Sequence, residues 1–145
     1  MANAKYTQVT TLLAQGRLNW TANDIRAALV KNGTFNAAHQ TLSQVGTALQ
    51  SVPVPGRTVG ENGALLGQPV FFGDVAEDQS FQVVIVQNLN NGDPNVLAWY
   101  DTDDQGNPIR LQNPGTLVIR PTVDVDHVEP LAEVIPTNVR IWMQV

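Results

Sequence analysis

The densest set of residues able to do chemistry is Asp101-Thr-Asp-Asp-Gln-Gly-Asn107. Asp101, Asp103, Gln105 and Gly106 stand where the opening of a calcium loop would have them. Oxygens at alternate positions converge on the ion, and the glycine permits the sharp turn. The pattern then fails, because the twelfth position is Gln112 and lacks the bidentate carboxylate. Asp, Gly and Asn favour tight turns by themselves, so the run reads as a solvated turn. His127 lies among Asp124, Asp126 and Glu129. One imidazole without a second nearby is a poor donor set for a transition metal. In a strand, moreover, the two aspartates share a face that His127 does not.

Nucleophilic chemistry has little to work with. His39 precedes Ser43 by one helical turn, close enough for contact. A hydrolytic triad also needs an orienting acid and an oxyanion hole, and no Gly-x-Ser-x-Gly elbow is present. Gly60-Glu-Asn-Gly-Ala-Leu-Leu-Gly67 lacks the Lys-Ser or Lys-Thr of a phosphate-binding loop. The chain has no cysteine, which removes disulfides, thiolate nucleophiles and Cys-ligated metals. No catalytic residue, metal or cofactor is expected.

The elements that would position these residues are short. Tyr6, Val9, Leu12 and Leu13 fall at helical spacing, with Gly16 where a C-terminal cap belongs. Residues 21–24 are turn formers. Residues 25–30 fit a helix or a strand equally, since Ile25, Ala27 and Leu29 alternate with Arg26 and Ala28. Asn32-Gly33 ends that stretch either way. Ala38, Leu42, Val45 and Leu49 predict a helix over residues 36–50, interrupted by Gly46. From Ser51 onward Gly and Pro recur every few residues and defeat long helices. Strands are predicted at 68–72, 81–87, 96–101, 116–120 and 139–145. Asn91-Gly92 marks a hairpin, because both positions tolerate positive φ. Turns of the same kind are expected at 103–108 and 113–115.

This spacing predicts a mainly β chain with a short N-terminal helix, an antiparallel β-sandwich or barrel-like single domain. Residues 1–123 make the β-rich domain, and residues 124–145 an arm that returns to the sheet as a last strand. In that strand Val139, Ile141, Met143 and Val145 alternate with Arg140, Trp142 and Gln144. Trp142 on the nominally outer face is an interface candidate.

Composition narrows the partners. Of the 145 residues 43% are hydrophobic and only 14% charged, against about 25% charged in ordinary domains. A polar but weakly charged surface suits packing against neighbours. Residues 1–60 carry five cations against Asp24 alone, a net +4, while residues 61–145 carry three arginines against twelve acids, a net −9. Five scattered cations are not the dense basic patch that nucleic acid requires. Head-to-tail attraction fits better, either between the two parts of one chain or between copies of it, with a solvated mixed surface as the plain alternative. The longest apolar runs, such as residues 83–86, fall far below the roughly 18 residues of a membrane span. Residues 2–20 hold no unbroken apolar stretch, so neither a signal nor an anchor is expected.

The order of segments resembles a group of small tailed-bacteriophage virion proteins. The likeness is carried by Leu12-Leu-Ala-Gln-Gly-Arg-Leu-Asn-Trp20, Asp24-Ile-Arg-Ala-Ala-Leu-Val30 and His39-Gln-Thr-Leu-Ser-Gln-Val45. It continues through residues 83–86, Val96-Leu-Ala-Trp-Tyr-Asp101 and Asn113-Pro-Gly-Thr-Leu-Val-Ile119. It covers roughly residues 4–120, and the segment after Arg120 departs from it. The resemblance implies a non-enzymatic particle component with a small β-rich fold, and no catalytic residues come with it.

The leading expectation is a capsid decoration or cement protein of the virion, packed at capsomer junctions. Its partners would be the major capsid protein or other virion proteins and copies of itself, with no nucleic acid and no membrane. Arg17 and Arg26 of the basic part and Arg140, Trp142 and Val145 of the last strand are the candidate interface residues. One alternative is a tail-tip, fibre-attachment or head–tail adaptor protein. Another is a carbohydrate- or calcium-binding β-module using Trp99, Tyr100 and residues 101–104, although neighbours in a strand face opposite ways.

Overall fold

The computed structural model describes residues 4–60, 64–68, 70–75, 79–90, 92–101, 109–111, 115–120, 122–124, 131–135 and 140–144. Beyond Asp101 the description is of backbone only. The chain is mainly β, with short helices near the N-terminus, as expected from its spacing.

The main sheet has the order β1 (Ala4–Lys5), β8 (Asn95–Tyr100), β7 (Gln79–Gln87), β2 (Ile25–Lys31), β3 (Ala48–Pro53), and β9 (Ile109–Leu111) also pairs with β7. All of these pairings are antiparallel. A second sheet has the order β12 (Leu131–Ile135), β13 (Arg140–Gln144), β10 (Gly115–Arg120), β6 (Val70–Val75). A third joins β11 (Thr122–Asp124), β5 (Ala64–Leu66) and β4 (Thr58–Val59).

Both faces of the main sheet are covered, which explains the unbroken apolar run at residues 83–86. On one face Ile25, Ala27, Leu29, Val83, Ile85, Leu97 and Tyr100 pack with Val9 and Leu12 of α1 (Gln8–Ala14). Leu65, Val70 and Phe72, from the other two sheets, join the same core. On the other face Val30, Val84, Val86, Val96 and Trp99 meet Tyr6, Phe35 and Val45. A bulge at Leu97, where the register shifts between Ile85 and Val86, places the consecutive residues Leu97 and Ala98 in the same core.

Local signals explain the ends of α1. Gly16 adopts φ +69°, and the Arg17 N–H reaches back 2.9 Å to the Leu12 carbonyl, closing the helix as its sequence predicts. Residues 25–30, ambiguous by pattern, are a strand because β3 and β7 flank them on both sides. The helix expected over 36–50 is corrected: only α2 (Leu42–Val45) is helical. Ala48–Pro53 instead pairs with β2, a tertiary contact that outweighs the weak local preference. A bulge at Leu49 and Pro53 at the far end interrupt this edge strand. The Val54 N–H bonds to the Ile25 carbonyl, so alternation points the Pro53 nitrogen away from β2, where no donor is required.

The β7–β8 hairpin forms around the Asn91-Gly92 signal, with Gly92 at φ +141°. The turn expected at 103–108 lies outside the described residues, but its flanks do not make a hairpin. β8 and β9 both run antiparallel to β7, hence in the same direction. Likewise residues 113–115 lead from the main sheet to the second one. The last strand, β13, lies between two neighbours in the second sheet, antiparallel to β12 and parallel to β10.

Candidate functional site

Among the described residues a polar cleft of about 390 Å³ opens beside α1. Thr7, Gln8, Thr11, Leu12 and Gln15 form one wall, Ala38 and Gln40 the other, and Asn95 and Arg17 complete the lining. The walls are fixed to each other by backbone and amide bonds. The Thr7 N–H donates 3.1 Å to the Ala37 carbonyl, and the Val96 N–H donates 3.0 Å to the Gln40 carbonyl. Gln8 spends its amide hydrogens on the carbonyls of Gln40 (2.6 Å) and Val96 (2.8 Å), which leaves its oxygen as an acceptor.

A buried glutamine supports the floor. Gln87 Nε2 donates to the Arg17 carbonyl and to Asn23 Oδ1, both at 2.9 Å, while Gln87 Oε1 accepts from Asn95 Nδ2 at 2.9 Å. Phe81, Val83, Ile85 and Gln87 share one face of β7, so this amide occupies a core position and is satisfied there by hydrogen bonds. Arg17 thus has an anchored backbone and an exposed side chain whose Nη1 makes a long bond of 3.4 Å to Gln15 Oε1. Amides, hydroxyls and one cation can hold a peptide backbone and a carboxylate.

The other expected site residues divide. Arg26 is half-buried and directed to Asp24 at 3.2 Å. Asn88 donates to the same carboxylate at 2.9 Å, and these bonds, that of Asn88 foremost, hold the Asp24 carboxyl below its ordinary value. Arg140 and Trp142 lie on β13, in register with Val118 and Arg120 of β10. Their side chains, and Val145 entirely, are outside the described residues.

The chemical candidates fare as follows. His39 and Ser43 are not one helical turn apart, because α2 begins only at Leu42. The Ser43 N–H instead bonds to Asp93 Oδ1 at 3.2 Å. Trp99 and Tyr100 are buried in opposite cores, so neither offers a ring face to a sugar. Residues 102–107, the bulk of the calcium-like run, and His127, Asp126 and Glu129 lie outside the described residues, as do residues 61–63 of the glycine-rich stretch. Among the described residues no three carboxylate or imidazole groups cluster as metal ligands would.

Gln8, Gln40, Asn95 and Gln87 were not singled out by sequence reasoning. Only Gln87 carried a usable signal: it continues the core-facing phase of β7. The fold and the cleft together define a mainly β protein with an amide-lined polar cleft beside α1. Comparison with protein-family models, curated proteins and solved structures finds no match to this chain.

Proposed function

We propose that this chain is a non-enzymatic structural component of a tailed-bacteriophage particle, a decoration or cement protein packed at capsomer junctions against the major capsid protein. One observation carries the reading. Most of the segments that resemble small virion proteins contribute to the two-faced sheet and the cleft beside it, while residues 115–119 belong to β10 of the second sheet. Residues 12–20 supply the helix cap and Arg17, 24–30 supply most of β2, 39–45 supply Gln40 of the cleft and α2, and 96–101 supply most of β8.

The chemistry of the cleft supports the same reading. It offers contact groups held in place, not a nucleophile beside a base. Many weak contacts suffice for a cement protein, since copies bound to one shell stabilise the assembled state by mass action and act together. The test is localisation on purified particles. Label on a tagged copy should spread over the head surface, and mass-spectrometric stoichiometry should give many copies per particle. Label at a single vertex would support the tail or adaptor role instead. Absence from the particle would end both readings.

A further inference from the structure

Arg17 gives the cleft a cationic end, and no acid lines it among the described residues. Its backbone is anchored by buried Gln87, while its guanidinium faces solvent. Gln8, Gln40 and Asn95 set amides around it, the pattern of donors and acceptors that also matches an extended peptide. Among the described residues no aromatic ring lines the cleft to stack on a sugar face. Its volume of about 390 Å³ lies within the range of small-ligand sites.

The chain's own charge supplies the counterpart. Residues 61–145 carry a net −9 and residues 1–60 a net +4. Oppositely charged surfaces steer their encounter, over a screening length of about 10 Å in 0.1 M salt. A contact between two different patches of identical chains is heterologous and repeats into rings or rows. We infer that the cleft is a head-to-tail docking site for an acidic extended segment from residues 61–145 of a second copy. Arg17 pairs with a carboxylate, and Gln8, Gln40 and Asn95 bond the backbone beside it. This deepens the particle-component reading and rests on it for its biological use, but it is tested in solution without a particle.

Arg17→Lys keeps the charge and supplies an amine that a zero-length carbodiimide joins to a neighbouring carboxylate. Full-length protein mixed from nitrogen-15-labelled and unlabelled batches is crosslinked at low and high salt and mapped by mass spectrometry. The expected product is a mixed-isotope link from position 17 to an Asp or Glu within residues 61–145, diminished at high salt. Sedimentation of the parent chain should show salt-sensitive association, weakened at least about tenfold in Arg17→Glu because like charges then face each other. The melting temperature of that variant should match the parent's. A parent monomeric at low salt would overturn the inference. So would links confined to one chain, or association indifferent to Arg17→Glu. Because particle labelling is read separately, failure here is distinct from failure of the particle-component reading.

Discussion

At Tyr6, burial and hydrogen bonding disagree. The residue is fully buried, and its hydroxyl has no partner among the described residues. Its ring lies 5.1 Å from that of Phe35, which in turn lies 5.7 Å from Trp99, both pairs tilted by 45°. The Trp99 indole nitrogen is likewise buried without a partner. A desolvated hydroxyl costs roughly 1–3 kcal/mol when nothing replaces water, so Tyr6→Phe should raise stability by about 1 kcal/mol at pH 7. Burial also pushes the phenol pKa up. The unfolded chain ionises near about pH 10 while the folded one resists. The stability contributed by neutral Tyr6 is therefore complete below that pH and is lost as pH rises above it. The advantage of Tyr6→Phe should widen between pH 7 and pH values above about 10 in urea denaturation. A variant weaker than the parent at pH 7 would mean that the hydroxyl has a partner that phenylalanine cannot keep.

Between elements, Arg57 ties the turn after Trp20 to the exit of β3. Its Nε donates to the Trp20 carbonyl at 2.7 Å, Nη1 to Val54 at 2.6 Å, and Nη2 to Asn23 at 2.7 Å. A planar fork can meet three carbonyls at once, whereas an ammonium on a flexible stem cannot. Arg57→Ala should cost about 2–3 kcal/mol, since hydrogen bonds from charged donors are the strong class. Arg57→Lys should recover less than half of that loss. The urea midpoint, at constant denaturant slope, checks both values. Nothing in the spacing around Arg57 announces this role, because its acceptors are backbone groups brought close only by the fold. The same reason hides the cleft, whose amides come from α1, the 37–40 loop and β8. What local chemistry determines was legible: the Gly16 cap, the Asn91-Gly92 hairpin and the strand at 81–87. What partners determine was not. Residues 25–30 became a strand through their two neighbours, Leu49 became a bulge instead of a helix face, and the parallel β10–β13 pair joins strands far apart in sequence that no local turn specifies.

Over the whole molecule, the two larger sheets draw mostly on different parts of the chain. The main sheet takes its strands from residues 4–111, and the cores described above are built on it. The last two strands belong to the second sheet, where β13 separates β12 from β10. A chain ending at residue 123 would lose both, while every strand of the main sheet would keep its pairing. Cooperative opening units coincide with supersecondary motifs, so the two sheets should open with different free energies. In hydrogen exchange, the truncated chain should keep slow amides at residues 25–31, 81–87 and 95–100 and lose protection at 115–120. It should also associate more readily than the parent, because removing β13 exposes an unpaired edge of β10. Dilute samples, in which that association is suppressed, separate the two effects. Exchange at residues 83–86 that accelerates as much as exchange at 115–120 would mean that both sheets unfold as one cooperative unit. The last strand would then be part of the core's stability and not an addition to it.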